Sequence, residues 1–205
     1  MQHAIDRKGI DEAFAKDLSF ELKPLGNHFF MPNQKGHRDT SGGYADYVLG
    51  SGGNAARTDQ AELVQQQLAQ AGVKVELKKV PANDYFNQCV NRGNFDLTSF
   101  RNVDAVSPSM LTPVFVRPKD GNLFQNFGSV GSPETDALLK KAGETTDPAS
   151  ATALCNQADA EIWRLAHSIE LYQRPQILAV RHGLANYGAL GLADIDCTKA
   201  GWLKK

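Results

Sequence analysis

Apolar residues recur at helical steps from the start of the chain. Ala4, Ile5, Ile10, Ala13 and Phe14 fall close to one face, which predicts a helix over residues 2–16. Residues 24–39, "PLGNHFFMPNQKGHRD", break the period with two prolines and two glycines and read as a loop, followed by a flexible "TSGG" at 40–43. Tyr44 to Leu49 is a short predicted strand. A helix follows, capped by Asp59 with Glu62 three residues on, carrying Ala61, Val64, Leu68 and Ala71 on one face and stopped by Gly72. The period then changes to two: Val73, Val75 and Leu77 alternate with Lys74, Glu76 and Lys78, the pattern of a half-buried strand ended by Pro81.

The same order repeats. "NDYFNQCVNRG" (83–93) predicts a short helix closed by Gly93, and "NFDLTSF" (94–100) a strand. After Pro108 the pattern is mainly helical. Ser132-Pro133 and Asp147-Pro148 are each a capping residue followed by proline at the first helical position. The first pair opens a helix to Ala142. The second opens the longest helix, with Cys155, Ala158, Ile162 and Leu165 as its stripe. "ELYQRPQILAVRHG" (170–183) reads as one or two strands split by Pro175. Alternating helix and strand predict an α/β fold: a mixed sheet of about four or five strands flanked by helices.

Bulk composition narrows the function. The chain has 205 residues, 41% hydrophobic, with a formal net charge of -1. Without a basic excess it has little to exchange for counterions on a polyphosphate, so nucleic acid is not an expected partner. No apolar run approaches the roughly eighteen residues of a membrane span, and the first ten residues hold no apolar signal core. Cys89, Cys155 and Cys197 lie in no metal-ligand spacing, so neither metal nor cofactor is expected. The strand–glycine–helix stretch around Gly50, Gly52 and Gly53 suggests a phosphate loop, but Asn54-Ala55-Ala56-Arg57 follows where a lysine and a hydroxyl would be needed. It reads better as a turn. No G-x-S-x-G occurs, and His3, His28, His37, His167 and His182 sit in no catalytic pattern, so no enzyme is expected.

"SFRNVDAVSP" (99–108) is more suggestive. It joins a predicted strand to a helix, the kind of loop where α/β proteins hold ligands. Asp104 could pair with a ligand ammonium group there, with Arg101 three residues before it; a surface ion pair or a helix cap is the plainer alternative.

Several stretches together resemble the extracellular solute-binding proteins of peptide-type ABC importers: the oligopeptide- and dipeptide-binding proteins and their actinobacterial lipoprotein relatives. "AIDRKGI" resembles the family's A-I-D-R helix, and "AELVQQQLAQAGVKVELKKVP" its helix–strand unit with Q, L, G and K-V at set intervals. "GNFDLTSF" resembles its G-x-F-D strand, "GSPETDALLKKA" its D-x-L-L helix, and "ELYQRPQILAVRHGLANYG" its closing segment. "PLGNHFFMPNQKGHRD" resembles a loop of the actinobacterial subgroup. The motifs keep the family's order across nearly the whole chain.

The resemblance implies that residues 1–205 form a single lobe, the C-terminal lobe of a two-lobed clamp of the type II periplasmic-binding-protein kind. Residues 170–205 would be a closing segment returning toward an N-terminal lobe. It implies capture of an oligopeptide or similar solute outside the membrane and delivery to ABC permease subunits, with a lipid anchor as the link to the membrane; localisation would be the outer face of the cell membrane or the periplasm. Asp104 matches the aspartate that often holds a peptide amino terminus, so Asp104, Arg101 and Asn102, with His28 and Phe29 from the earlier loop, are the candidate ligand-binding residues. The chain departs from the family where Arg101 replaces a usual tryptophan, where Ser107 replaces a second aspartate, and near Asp39 to Gly43, where the family has a further helix. A stand-alone hydrolytic α/β enzyme and a protein-interaction module are the alternatives.

Overall fold

Two proline-led helices pack against each other and anchor the fold. The structure is a computed structural model describing residues 4–15, 25–41, 58–81, 84–99, 107–171, 173, 178–188 and 195–203. In chain order the helices are α1 (Arg7–Ala15), α2 (Thr58–Gln70), a π-helical turn at Tyr85–Cys89 running into a 3-10 turn at Val90–Arg92, a 3-10 turn at Pro108–Leu111, α3 (Thr112–Phe115), α4 (Pro133–Glu144) and α5 (Pro148–Arg164). The strands are β1 (Leu184–Ala185) and β2 (Gly201–Trp202), paired antiparallel.

Both caps behave as their sequence requires. The Ser132 hydroxyl accepts from the Thr135 amide and the Asp147 carboxylate from the Ser150 amide, each satisfying one of the donors a helix start leaves free. Helix α2 begins at Thr58, so Asp59 lies in its first turn rather than capping it. Gly72, at φ 78°, ends α2: the Val73 amide donates to the Leu68 carbonyl and the Gly72 amide to the Ala69 carbonyl. Helix α5 ends by the same pair of bonds, His167 to Ile162 and Ala166 to Trp163, but the left-handed position is Ala166 at φ 55°. Within the segment expected as an ordinary helix at 83–93, Tyr85–Cys89 is π-helical and Val90–Arg92 is 3-10.

Two apolar clusters form. One packs α3, α4 and α5 against the 25–41 loop through Phe29, Phe30, Val114, Phe115, Leu139, Ala142, Cys155, Ala158 and Ile162. The loop turns tightly there: a Cβ on Gly36 would stand 2.5 Å from the buried Phe30 ring. The other cluster centres on Ile5, Ile10 and Leu68, with Val73, Val75, Leu97, Ile169 and Leu171 around it.

Residues 73–78 keep the expected alternation, with Val73, Val75 and Leu77 partly buried and Lys74, Glu76 and Lys78 exposed. Yet among the described residues this stretch and 94–99 form no ladder, and the β1–β2 pair is the only sheet. Side-chain burial sets the alternation, whereas a ladder needs a backbone neighbour. The expected strand at 44–49, the glycine stretch that follows it, and residues 172 and 174–177 of the expected closing strands lie outside the described residues.

Replacing either cap tests the helix pair. Ser132→Ala and Asp147→Ala should each lower unfolding free energy by about 1 kcal/mol. Urea titration should move the midpoint without changing the slope.

Candidate functional site

Asp104, Arg101 and Asn102 fall within 100–106, outside the described residues, but both ends of that stretch are fixed. On the entry side Tyr85 is buried, and its hydroxyl hydrogen-bonds Thr98 Oγ1 and donates to the Ser99 carbonyl at 2.9 Å. Burial raises the Tyr85 phenol above its ordinary pKa, keeping it a neutral donor. On the exit side Ser107 is extended and precedes the Pro108–Leu111 turn; the Met110 amide donates to its carbonyl at 3.0 Å. Tyr85 takes its place from the π turn, a feature often found beside functional sites.

His28 and Phe29 are inside. Phe29 belongs to the α3–α5 core, its ring 5.1 Å from that of Phe115. The His28 side chain has no exposed surface. Its Nδ1–H and its backbone N–H both donate to Asp159 Oδ1 at 2.7 Å, while Asp159 Oδ2 accepts from the Thr40 hydroxyl. The imidazole lies against Trp163, with centroids 4.5 Å apart, and Phe115 at 5.5 Å; Nε2 faces Glu170 at 3.8 Å, too far for a hydrogen bond. Neither side chain reaches solvent in this lobe, so their place is in its interior.

This buried polar assembly is what sequence reasoning missed. Asn27 donates to the Arg38 carbonyl and to Asn156 Oδ1, both at 2.8 Å, and accepts from the Phe29 and Phe30 amides. Asn156 donates to the Gly36 carbonyl at 2.9 Å. Arg7 on α1 donates to the Leu25 and Glu170 carbonyls and stacks over Trp163 at 5.2 Å. The signal was present: Asn156, Asp159 and Trp163 share the inward side of α5 with Cys155, Ala158 and Ile162, and a carboxylate beside an apolar stripe needs donors from elsewhere.

A second assembly holds the 117–131 loop. Asn126 is fully buried; its Nδ2 donates to the Val116 and Val130 carbonyls at 2.9 and 2.7 Å. His167 Nε2–H reaches the Val114 carbonyl and Asn126 Oδ1, each at 3.1 Å. Arg117 closes the loop base through its amide and Nε to the Asp136 carboxylate. Loss of hydration lowers the His167 pKa to about 4, with the nearby His28 charge adding to it against the Val114 hydrogen bond. Asp11, whose two carboxylate oxygens are buried without hydrogen-bond partners, is pushed up to about 6 by burial, against the attraction of Arg7. Among the described residues no group of histidines, cysteines and carboxylates could hold a metal ion.

Comparison with known proteins completes the picture. Residues 33–122 match the model of bacterial extracellular solute-binding proteins, family 5, middle region. The chain is 37% identical to the oligopeptide-binding protein OppA of Mycobacterium tuberculosis over 231 residues, covering 98% of this chain and 38% of that protein. The aligned stretch is longer than this chain, so the relative carries residues within it that this chain lacks. The fold matches the oligopeptide-binding protein of Thermus thermophilus complexed with pentapeptide at a TM-score of 0.69, with 20% identity, covering 91% of this chain and 38% of that one. It also matches DppA of Helicobacter pylori in complex with the peptide STSA at 0.67, with 18% identity over 83% and 36%. The chain therefore has the α/β architecture of a lobe of these two-lobed proteins, and spans about two fifths of the length of its curated relatives.

The two buried titrating groups predict opposite pH dependences. The His167 pKa is depressed from 6.5 to about 4, so its contribution to stability is present above pH 6.5 and lost as pH falls through 4. The Asp11 pKa is raised from 3.8 to about 6, so its contribution is present below pH 3.8 and lost as pH rises through 6. In thermal melts across pH 4–7, His167→Gln should remove the acid-side loss, worth roughly several degrees, and Asp11→Asn should remove the loss toward neutral pH.

Proposed function

Because the chain belongs to the bacterial extracellular solute-binding proteins of family 5, we propose that it forms one lobe of a clamp that captures peptides outside the membrane and hands them to an ABC permease. The observation that carries this reading is the identity to an oligopeptide-binding protein across 98% of the chain. Among the described residues no helix is long and apolar enough to cross a membrane, and in our reading a lipid anchor holds the whole protein there. Residues 170–205 are assigned as the segment returning toward the other lobe. The clamp reading makes the chain a binding component rather than an enzyme: an incubation with ester and peptide substrates should show no hydrolysis above background.

We assign the ligand's ammonium group to Asp104, with Arg101 and Asn102 beside it. Asp104 lies three positions before Ser107, so the chain holds its Cα within about 11 Å of the Ser107 Cα. A charge-assisted hydrogen bond desolvated by lobe closure is worth roughly 1.5–3 kcal/mol. Asp104→Asn keeps the shape and removes the charge. In the full-length protein it should weaken free-amine peptides by about ten- to a hundredfold in calorimetry and amino-acetylated peptides far less. Equal weakening of both sets would overturn the assignment. Failure of the parent protein to bind any peptide would overturn the capture reading itself.

A further inference from the structure

The 117–131 loop uses its buried bonds to hold one large apolar residue outward. Lys119 and Asn122 pair across Asp120 (φ 52°) and Gly121 (φ 75°), a two-residue turn with both central residues left-handed. Asn122 Oδ1 then accepts from the Phe124 amide at 2.9 Å, and the Gln125 amide donates to the Pro113 carbonyl at 3.3 Å. Asn126 follows with the buried bonds described above. Between these anchors Phe124 is held at φ 51° with half of its surface exposed. Aspartate and glycine tolerate the left-handed region; a phenylalanine there is an outlier. Such a conformation persists only where its surroundings over-determine it, and bound ligands are a frequent reason for keeping one. The same loop also holds exposed Ser129 at φ 54°, but a serine strains less there than a bulky aromatic residue.

Met110 is a second exposed apolar side chain connected to the same support: Pro113, to whose carbonyl the Gln125 amide donates at 3.3 Å, is three residues past Met110, itself 64% exposed. Both are presented from rigid supports: Met110 from the turn leading into α3, and Phe124 from a loop tied to α3, α4 and His167.

We propose that Phe124 is a specificity-determining residue whose exposed ring receives an apolar side chain of the captured peptide. This inference rests on the peptide-capture reading and adds a preference to it. A ring fixed in place before binding loses little conformational freedom when a ligand covers it, so it contributes more than a mobile side chain of equal area.

The test uses the full-length protein and a set of otherwise identical tripeptides carrying Ala, Leu, Phe or Lys at each position in turn. Phe124→Gly removes the ring and relieves the backbone. It should weaken the best Leu or Phe peptides by about tenfold or more, change the all-Ala peptide little, and leave the thermal midpoint unchanged or higher. Phe124→Leu, apolar at the same angle, should keep most of the preference. Two results for Phe124→Gly overturn the assignment: binding apolar peptides as tightly as the parent, or losing all peptides equally together with several degrees of thermal midpoint. A parent that binds the set without any apolar preference also overturns it while leaving capture intact. A parent that binds no peptide overturns capture and this inference together.

Discussion

The Asp159 carboxylate is the point on which this lobe turns. It is fully buried on α5, where an unpaired carboxylate would be very costly, and three donors offset that cost: the His28 amide, the His28 imidazole and the Thr40 hydroxyl. His28 and Thr40 stand near opposite ends of one loop, so a single side chain fixes both. Asn156, one turn earlier on the same helix, adds the Asn27 and Gly36 attachments. With the loop so registered, Phe29 and Phe30 enter the core, and the His28 ring fills the space between Phe115 and Trp163. Trp163 in turn supports Arg7, which reaches the Leu25 and Glu170 carbonyls and brings α1 and the 167–171 segment to the same place. Apolar residues alone could have buried as much area; what the polar set supplies is one loop conformation among many.

Asn126 plays a corresponding part on the other side of α3, with different electrostatics. Its amide satisfies the Val116 and Val130 carbonyls, and His167 completes it from beyond the end of α5. Here the low His167 pKa matters for structure: a neutral imidazole near neutral pH donates one proton and places no extra positive charge beside His28. The two assemblies thus share a wall of aromatic rings, Phe115 touching both imidazoles at 5.5 and 5.0 Å.

Features set by local chemistry were legible in the sequence. Ser132 and Asp147 with their following prolines marked helix starts, and Gly72 and Gly93 marked stops, because capping and left-handed backbone are decided within a few residues. The end of α5 was illegible for the same reason: Ala166 occupies a position where glycine is the usual signal, held there by burial. The π turn at Tyr85–Cys89 left no periodic trace, since 5 residues are too few to establish a helical period. Alternation at 73–78 correctly gave which side chains face inward, but not whether a neighbouring strand completes a ladder. The resemblance names His28 and Phe29 as candidate ligand contacts; in the structure both side chains are buried, with His28 held by Asp159, 131 positions away. Asp159 itself could have been suspected, being a carboxylate alongside the α5 stripe.

In the proposed clamp, a lobe that shares its ligand with another faces a particular constraint. It cannot rely on the ligand to organise it, because in the open state it meets the ligand with only half of the contacts in place. Whatever ordering remains to be done on closure is subtracted from affinity. Committing buried carboxylate, amide and imidazole groups to two loops completes that ordering during folding instead. The fold also carries local costs: Asp11 is buried without hydrogen-bond partners, and Phe124, Ser129 and Ala166 hold left-handed backbone. Of these, Ala166 and Asp11 face inward and act on the scaffold, whereas Phe124 and Ser129 face solvent, so their strain can be relieved without disturbing the core.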